Sequence, residues 1–476
     1  MEKYKVVIGL EVHCEVKTKT KNFSRSKNEY TDKYNVVVST VDLGLPGILP
    51  VVNKEAVRKA VKMAMALNCK IPEYMYFDRK NYYYPDLPKG YQLTQNTEPV
   101  GTDGYLEILL DGKLKKIKIH DIHLEEDTAS LEHFEEYSLI NYNRSGIPLL
   151  EVVTEPVIYS PEEAVKFLET LRQLFIYLDI SDADSKKGEM RCDVNISLMK
   201  ETDKVLGTKV EMKNINSFSS VYDAIMYEID RQSKLLDKGK KIVQETRRID
   251  SDKKITIPMR EKVDAVDYKY FIEPNIPKFR LKSEYLEEVE SSICKLPLYR
   301  YLDYIKLGLS SKDSETIVKD REVSDYFDKL LEEGIEPKIA ITWVLGVILA
   351  TLNKLSIELK DLFITPKMLG SIIKKVEDKS LSEAFAKKIL YRSIKEKIDP
   401  IEIIEKEGLK QIEDDEIIIK MINEVLDESE SIVKEYFEGK DYTINYFVGG
   451  VMKKTKGQAN PLKTKELIIE ELKKRK

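Results

Sequence analysis

Cysteine and histidine are both scarce in this sequence. Only four of its 476 residues are cysteines, Cys14, Cys69, Cys192 and Cys294, and no two of them form a Cys-x-x-Cys pair. Such scattered cysteines disfavour a disulfide framework and a zinc site built from thiolates. We therefore interpret them as reduced thiols packed inside a globular protein.

Long hydrophobic runs and the common nucleotide-binding motifs are missing as well. The best apolar run, Ile341 to Leu352, is shorter than the ~18 residues that a membrane span needs, and the first residues show no secretory pattern. We therefore expect a cytoplasmic protein that does not bind a membrane. No Walker loop, Rossmann glycine fingerprint or Gly-x-Ser-x-Gly elbow occurs. Any ATP site must therefore be built without a Walker loop or a Rossmann fingerprint, and the sequence does not indicate a serine nucleophile.

The composition is that of an ordinary soluble protein, with 42% hydrophobic and 34% charged residues. Its length suggests roughly two to four domains. A net charge of −5 gives the whole molecule no general attraction for nucleic acid. Acidic residues are concentrated in residues 401–439, however, and basic residues in residues 440–476. A basic tail is often only a solvated surface, but it can also contact phosphates.

The first 290 or so residues alternate short β-like runs with Gly, Pro and Asn turns. Two helical patterns interrupt them, one near Lys54 to Leu67 and one from Ser160 to Tyr177, with Ser160 as a cap. This mixture predicts an α+β domain built on an antiparallel sheet. The clearest β-like runs are residues 6–16, 106–110, 147–153, 190–198 and 208–214.

From about residue 295 a 3.6-residue periodicity predicts helices nearly throughout. A break at Ile398 to Pro400 and the Glu407-Gly408 step separate a last helical module. We therefore predict three domains, at residues 1–292, 293–405 and 406–476. The clearest helical patterns lie near residues 324–333, 337–352, 366–377 and 382–394.

The first predicted strand, Val6 to Val16, has one apolar face and one polar face. Because side chains alternate along a strand, Glu11, His13 and Glu15 share the second face with Gly9. Glu11 and His13 would lie roughly 6.5–7 Å apart at Cα, so both could reach one metal ion or one phosphate. A strand with one solvated face has the same pattern, and this segment alone leaves both interpretations open.

Three other predicted strands also carry polar residues on one face. These faces concentrate His, Asp, Asn and Arg rather than the Lys, Glu and Thr of ordinary solvated faces. We infer a shared polar cavity that holds a divalent cation, and its oxygen-rich side chains favour magnesium over zinc. A further candidate lining residue is Glu151. The residues on these faces are His123 and Glu125; Arg191, Asp193 and Asn195; and Lys209, Glu211 and Lys213.

The segment from Asp78 to Gln92 is predicted to be an ordered loop. Its prolines and glycine prevent a long helix, and its tyrosines offer stacking surfaces. Arg79, Lys80 and Lys89 offer contacts to phosphate. The same composition occurs in loops that simply pack against a domain.

Nine segments of the sequence, in order and spread over nearly the whole chain, resemble one known family. It is the GatB/GatE family, the B subunits of tRNA-dependent amidotransferases. The segments are residues 7–13 (VIGLEVH), 43–47 (LGLPG), 78–92, 123–127 (HLEED), 142–146 (YNRSG), 148–151 (PLLE), 191–195 (RCDVN), 244–247 (QETR) and 451–461 (VMKKTKGQANP).

The resemblance implies a two-step reaction that uses ATP and Mg²⁺. The side-chain carboxylate of Glu or Asp mischarged on tRNA(Gln) or tRNA(Asn) is phosphorylated, and ammonia then displaces the phosphate. It also implies a heterotrimer with a glutaminase (A) subunit, which supplies the ammonia, and a small C subunit. Two alternatives remain: a non-catalytic tRNA-binding scaffold of the same fold, and a freestanding magnesium-dependent phosphotransferase.

The resemblance further implies roles for individual residues. For the catalytic handling of magnesium and phosphate they are Glu11, His13, Glu125, Glu126, Glu151, Asp193 and Glu211, of which we expect Glu11, His13, Glu125 and Glu151 to bind the metal. For contacts to ATP or the tRNA acceptor end they are Arg79, Lys80, Lys89, Arg144 and Arg191. For tRNA phosphates they are Lys453, Lys454 and Lys456 in a tail that resembles the YqeY module.

The sequence departs from the family in one place. Many members have four cysteines, which form a structural zinc site, before the Leu-Gly-Leu-Pro-Gly segment. Ser24, Ser26, Ser39 and Asp42 stand at those positions here, and none of them supplies a thiolate. We therefore predict no zinc, and a loop held by hydrogen bonds and by the packing of four valines. The valines are Val36, Val37, Val38 and Val41.

Overall fold

The computed structural model describes residues 4–200, 202–261, 267–407, 415–437, 439–455, 459 and 461–475. The chain divides into two compact units, Met1–Tyr299 and Arg300–Lys476. The first combines a large sheet with helices, and the second is helical wherever it has regular structure. The predicted α+β class is therefore confirmed. The domain boundaries at residues 292 and 405 stay predictions.

Eight strands of the first unit form one sheet, in the spatial order β13-β12-β11-β10-β1-β9-β6-β5. Neighbours are antiparallel except β11 and β12, which are parallel. The other strands form three small sheets, β14-β3-β4, β15-β2 and β7-β8. The strands are β1 (Lys5–Glu15), β2 (Tyr74–Met75), β3 (Asp78–Asn81), β4 (Tyr91–Thr94), β5 (Gly101–Leu110), β6 (Lys113–Glu126), β7 (Ser130–His133), β8 (Ser138–Asn141), β9 (Pro148–Thr154), β10 (Met190–Met199), β11 (Val210–Ile215), β12 (Glu245–Asp250), β13 (Ile255–Glu261), β14 (Phe271–Ile272) and β15 (Phe279–Arg280).

Strand β1 lies near the middle of the large sheet and shows how its two faces differ. Ile8, Leu10 and Val12 are at most 1% exposed and belong to the main hydrophobic core. Helices pack on that side, and residues of the first two helices are part of the same core. The intervening polar residues point to the other face, because side chains alternate along a strand. The predicted division of β1 into an apolar and a polar face is confirmed.

Both helices predicted in the first unit are present. Asn53 caps α1 by accepting hydrogen bonds from the backbone N–H groups of Glu55 and Ala56. Ser160 caps α2 in the same way, by accepting one from Glu163. The helices described in this part of the chain are α1 (Lys54–Ala66), α2 (Pro161–Tyr177), a 3₁₀ turn (Ser185–Lys187), α3 (Phe218–Asp237) and α4 (Ser283–Ser291).

Helix α3, which has 20 residues, was not predicted from the sequence. Its buried face begins with three apolar residues but continues with Glu228 and Gln232. Two buried polar residues therefore interrupt the apolar face of the helix, although Ile229 and Leu236 still pack against the core. Glu228 is nevertheless fully buried, because neighbouring side chains donate hydrogen bonds to its carboxylate. The short helix α4 was also not predicted.

The four helical patterns predicted between residues 324 and 394 are all present as helices. The core of this part of the chain is a cluster that extends from Tyr304 to Ile404, and a separate cluster extends from Ile418 to Leu472. The helices are α5 (Pro297–Lys306), α6 (Ser311–Val318), α7 (Arg321–Glu332), α8 (Pro337–Trp343), a π-helical turn (Val344–Leu349), α9 (Ala350–Leu355), a 3₁₀ turn (Leu359–Asp361), α10 (Pro366–Glu377), α11 (Glu383–Glu396), α12 (Pro400–Glu407), α13 (Asp415–Asp427), α14 (Glu430–Phe437), a 3₁₀ turn (Asp441–Thr443), α15 (Ile444–Lys454) and α16 (Pro461–Lys474).

The helical stretch Pro337–Leu355 is longer than the apolar run seen in the sequence. Among the described residues it is the one helix whose length and composition would allow it to cross a membrane. Trp343, Ile348 and Leu352 on this stretch are buried in the hydrophobic core of the second unit. A core helix of a globular protein meets the same criteria, and we interpret this one as a core helix.

Candidate functional site

The pairing register places polar side chains of four strands next to one another. Glu11 of β1 lies opposite Asp193 of β10, and His13 of β1 lies opposite Glu151 of β9. Glu151 is in turn opposite His123 of β6. Directly opposed residues of antiparallel strands point to the same face. The structure therefore brings together polar residues that are far apart in the sequence.

The first group of potential ligands, which we call the His13 cluster, consists of His13, Glu125 and Glu151. Their ligand atoms all lie within 4.8 Å of one another. Nδ1 of His13 is 3.7 Å from a carboxylate oxygen of each glutamate. This buried nitrogen has no hydrogen-bond partner among the described residues. One unsatisfied imidazole nitrogen between two carboxylates is a donor set that fits a divalent cation.

His123 lies beside the His13 cluster and orients Glu151. Its Nε2 is 3.0 Å from Oε2 of Glu151, and its Nδ1 is 2.8 Å from Oδ1 of Asp121. Burial alone would lower the pKa of His123, but these carboxylates raise it well above its usual value. Burial alone would likewise raise the pKa of Glu151, but His13 and His123 hold it well below its usual range. Glu151 is therefore an ionised and fixed ligand candidate.

The second group, which we call the Glu11 cluster, consists of Glu11, Asp193 and Glu211. Its ligand atoms also lie within 4.8 Å of one another. Nζ of Lys213 is 3.1 Å from Asp193 and 3.3 Å from Glu211, and Asn195 donates a 2.8 Å hydrogen bond to Glu11. Burial raises the pKa of Glu11. Three carboxylates around one ammonium leave an excess of negative charge, which a divalent cation would balance.

Lys80 comes from the segment that was predicted to be a loop. Most of this segment forms β3, β4 and the turn between them. Burial alone would lower the pKa of Lys80, but the negative charges of Glu125 and Glu151 raise it. Its Nζ also lies 4.9 Å from the centre of the Tyr268 ring. The structure thus places this cation near two carboxylates of the His13 cluster, and its predicted contact with ATP or the tRNA acceptor end stays a prediction.

Glu126 and Lys89 contact each other and lie outside both clusters. Glu126 directly follows Glu125, so it points to the opposite side of β6. Lys89 donates hydrogen bonds to both oxygens of its carboxylate, and the backbone N–H of Leu93 donates another. The catalytic role of Glu126 and the ATP contact of Lys89 stay predictions, while their observed contacts form a largely buried ion pair.

Arg79 is also held by other protein groups. Its guanidinium donates two hydrogen bonds to the fully buried Glu273. It lies 4.3 Å from the centre of the Tyr91 ring and 5.4 Å from that of Phe271. Its predicted contact with ATP stays a prediction, and the observed contacts link strand β3 to the segment after β14.

Arg144 and Arg191 share one buried carboxylate, that of Asp127. Nε of Arg144 is 3.3 Å from one of its oxygens, and Nη2 of Arg191 is 3.0 Å from the other. Burial alone would raise the pKa of Asp127, but the two guanidinium groups hold it below its usual value. Burial and the charge of Asp127 raise the pKa of the nearby Glu15 to about 8. Glu15 and Arg144 line a polar cavity of about 440 Å³.

Comparison with known protein families accounts for most of the chain. Residues 6–287 match the GatB/GatE catalytic domain, and residues 325–472 match the GatB domain that contains the YqeY module. The chain belongs to the GatB/GatE family. The match to the catalytic domain includes every residue of the His13 and Glu11 clusters.

Several similar proteins are named as the B subunit of aspartyl/glutamyl-tRNA(Asn/Gln) amidotransferase. One from Bacillus cereus strain AH187 is 44% identical to this chain. Others, from Bacillus mycoides strain KBAB4 and Bacillus thuringiensis strain Al Hakam, are 43% identical. Each similarity extends over 98% of this chain and 99% of the relative.

The four positions where many family members have zinc-binding cysteines lie in a small polar cluster. Asp42 accepts hydrogen bonds from the hydroxyls of Ser26 and Ser39, at 2.5 and 3.0 Å. The hydroxyl of Ser24 accepts one from the backbone N–H of Ser26. Nζ of the fully buried Lys21 lies 3.6 Å from the same Asp42 oxygen. The loop is held by hydrogen bonds as predicted, and the absence of zinc stays a prediction.

The predicted packing of the valines in this loop is only partly right. Val37 is buried, but Val36 is 57% exposed, so the prediction is wrong for Val36. Both residues are held through the backbone instead, because the N–H groups of Val36 and Val37 donate to Oδ1 of Asn143. Side-chain contacts are therefore not needed to hold this part of the loop.

The three lysines predicted to contact tRNA differ in their surroundings. Lys453 is exposed in the last turn of α15. Lys454 is paired with Glu424 at 3.1 Å and with Glu428. Lys456 lies outside the described residues. Contacts to tRNA stay predictions for all three lysines.

Two residues beside the His13 cluster were not among the candidates. Asp121 orients His123, and its position two residues before His123 on the same strand could have revealed it. Asn22 is fully buried and donates a 3.0 Å hydrogen bond from Nδ2 to the backbone carbonyl of Glu125. Nothing in the sequence pattern pointed to Asn22, because the two residues are 103 positions apart.

Proposed function

We propose that this chain is the cytoplasmic B subunit of a tRNA-dependent amidotransferase. It uses ATP to phosphorylate the side-chain carboxylate of Glu or Asp mischarged on tRNA(Gln) or tRNA(Asn), and then amidates that carboxylate with ammonia. Membership of the GatB/GatE family and the names of the relatives support this proposal. The observation that carries it is the pair of ligand clusters on one sheet face, in which Nδ1 of His13 lies 3.7 Å from a carboxylate oxygen of each of two glutamates and has no hydrogen bond to the described residues.

The residues of both clusters fit Mg²⁺, because most of their donor atoms are carboxylate oxygens. His13, Glu125 and Glu151 would hold one ion, and Glu11 with its two carboxylate neighbours offers a second position. When bound, the metal neutralises the negative charge of the phosphate oxygens. Lys80 adds a positive charge beside the His13 cluster and orients the same oxygens.

The reaction needs two bond exchanges. First, a carboxylate oxygen of the mischarged amino acid bonds to the γ-phosphorus of ATP, and the bond from this phosphorus to the bridging oxygen breaks, which releases ADP. Next, the nitrogen lone pair of ammonia attacks the acyl carbon, phosphate leaves with the bonding electrons, and the nitrogen loses a proton. Because water would hydrolyse the acyl phosphate, the site must exclude water.

Two partner subunits complete the proposed enzyme. A glutaminase (A) subunit supplies ammonia through a passage closed to bulk water, and a small C subunit completes the heterotrimer. The exposed Lys453 of the basic tail contacts phosphates of the tRNA. The tail then holds the tRNA while its acceptor end enters the catalytic domain.

The test is ATP hydrolysis that depends on mischarged tRNA, measured on the complex with its A and C subunits. Glu125→Gln keeps the shape of the side chain but removes a ligand charge, so we expect a loss of about a hundredfold or more. Glu136→Gln is the matched control, because Glu136 is exposed in the same domain. Equal activity of Glu125→Gln and wild type would overturn the assignment. Wild type without hydrolysis on either tRNA would indicate a scaffold, and hydrolysis without tRNA or partners a freestanding phosphotransferase.

A further inference from the structure

The Leu-Gly-Leu-Pro-Gly segment, residues 43–47, contacts the turn between β3 and β4, residues 85–90, which we call the Lys89 turn. Gly44 has a φ of +66°, a backbone conformation that glycine adopts at no steric cost. A Cβ atom at position 44 would lie 2.7 Å from the carbonyl oxygen of Pro88 and 3.0 Å from Cγ of Lys89. Non-bonded heavy atoms pack best at about 3.5–4.0 Å. The segment therefore reaches the Lys89 turn this closely because residue 44 has no side chain.

Hydrogen bonds within its own loop hold the segment on the side away from the Lys89 turn. Three consecutive backbone N–H groups, those of residues 43–45, donate to carbonyls of residues 39–41. Asp42 in this loop is buried and accepts hydrogen bonds from two serine hydroxyls. Because the loop is fixed in this way, a side chain at position 44 would be accommodated by movement of the Lys89 turn.

The Lys89 turn brings a cation to Glu126, the neighbour of the ligand candidate Glu125. Nζ of Lys89 lies 2.5 and 2.6 Å from the two carboxylate oxygens of Glu126. The two side chains are only 10% and 6% exposed. The geometry of such an ion pair is specific, because one ammonium donates to both oxygens of the carboxylate away from water. Displacement of the Lys89 turn would therefore weaken the pair and leave Glu126 buried with less of its counter-charge.

We propose that Gly44 is a positioning residue for the reaction: by leaving room for the carbonyl of Pro88, it sets the position of Lys89 and, through Lys89, that of Glu126. The inference rests on the proposed function and on the predicted contact of Lys89 with ATP or the tRNA acceptor end. Misplacement of a positioned group by about 1 Å can lower a reaction rate about a hundredfold. A side chain at position 44 should therefore reduce activity, although Gly44 itself is not proposed to contact a substrate.

The test compares Gly44→Ala with Gly47→Ala in the complex with the A and C subunits. Gly47 is the matched control, because its φ of +85° gives alanine the same kind of backbone strain, while a Cβ atom there would meet no described atom within 4 Å. We expect tRNA-dependent ATP hydrolysis to fall at least about tenfold in Gly44→Ala and less than about twofold in Gly47→Ala. Equal losses in the two variants would overturn the proposal.

A double-mutant cycle shows whether Gly44 acts through Lys89. Lys89→Met removes the ammonium, so adding Gly44→Ala to this variant should lower the remaining activity by less than about twofold. A further loss of about tenfold in the Lys89→Met background would show that Gly44 acts through another residue, and the proposal would then be wrong.

Acetylation of lysine amines by an activated ester, read by mass spectrometry, tests the contact without an activity assay. Because its amine is buried in the ion pair, Lys89 of the wild-type chain should react at least about tenfold more slowly than the exposed Lys113. Gly44→Ala should raise the rate at Lys89 at least about fivefold, and Gly47→Ala should not change it. Equal rates at Lys89 and Lys113 in wild type would refute the proposal even if Gly44→Ala did not fold. Faster acetylation in Gly44→Ala alone, in a protein without tRNA-dependent ATP hydrolysis, would support the positioning of Lys89 and refute only the reaction.

Discussion

Asp42→Asn should destabilise the first unit strongly, because it leaves the ammonium of Lys21 buried without its carboxylate. Lys21 is fully buried, and the two charged atoms are 3.6 Å apart. At that distance two unit charges attract by about 4–5 kcal/mol at an effective dielectric constant of about 20. Removing one partner of a buried ion pair usually costs about 3–5 kcal/mol, which agrees with this value. Among the described residues, Nζ of Lys21 then keeps a 3.3 Å hydrogen bond to the carbonyl of Tyr142.

Thermal unfolding of the full chain measures this effect. At about 2 °C for each kcal/mol in a domain of this size, we expect Asp42→Asn to lower the Tm by roughly 6–10 °C. The double variant Lys21→Met/Asp42→Asn should recover most of that loss, because it buries no unpaired charge. Ser26→Ala removes one hydrogen bond to the carboxylate and should cost only about 1 kcal/mol.

A double-mutant cycle decides whether the ion pair or the serines hold the loop. The cycle compares Lys21→Met, Asp42→Asn and the double variant. If the losses of unfolding free energy in the two single variants add up to the loss in the double variant, Lys21 and Asp42 do not stabilise each other and the reasoning is refuted. The same conclusion follows if Asp42→Asn changes the Tm by less than about 1 °C. Recovery in the double variant would show that the loss in Asp42→Asn comes from the unpaired ammonium of Lys21.

Three further predictions concern other parts of the molecule. Burial alone would raise the pKa of Glu228, but hydrogen bonds from the surrounding side chains hold it below its usual value. The ionised carboxylate therefore stabilises the fold above pH about 4.3, and this stabilisation is lost as the pH falls through the lowered pKa. Glu228→Gln should therefore lower the Tm by several degrees at pH 7 and progressively less below pH about 4, whereas a constant deficit at every pH would contradict the argument. Asn22→Asp replaces the group that donates a hydrogen bond to the carbonyl of Glu125 with an acceptor. The affinity for Mn²⁺, measured by electron paramagnetic resonance, should therefore fall about tenfold. Unchanged affinity would show that Asn22 does not position Glu125. Lys453→Ala should reduce the slope of log binding constant against log salt concentration for tRNA by about one unit. Lys454→Ala should reduce this slope by less, because Lys454 is already paired with carboxylates. The reverse order in a filter-binding titration would contradict this prediction.

Much of the fold could be predicted because its signals are local. The cap at Ser160 and the alternation along β1 involve residues within a few positions of one another, and both were read correctly. Helix α3 was missed for a physical reason. Its buried face includes Glu228, whose partners include Thr256 on β13, so polar residues interrupt the apolar face that marks an amphipathic helix.

The ion pairs of the candidate site could not be predicted in the same way. Arg79 was proposed to contact ATP because it lies in a basic, tyrosine-rich segment. Its carboxylate partner, Glu273, is 194 residues away, and no sequence pattern connects the two. Glu126 was a candidate because it belongs to the same family motif as Glu125, although adjacent strand residues point to opposite faces. Membership of a motif therefore did not predict which of these residues contact one another.

The register of β1 explains why the ligand clusters form at all. A shift of one residue against β10 would put His13 opposite Met190 or Cys192 and turn apolar residues such as Val12 toward the polar face. The apolar face of β1 is fully buried, so such a shift would expose several core side chains at a cost of about 1.5–3 kcal/mol each. Packing on the helix-covered side of the sheet therefore fixes the positions of His13 and Glu11 on the other side. The hydrophobic core, more than the attraction between the polar groups themselves, holds these mutually repelling carboxylates close enough to share a cation.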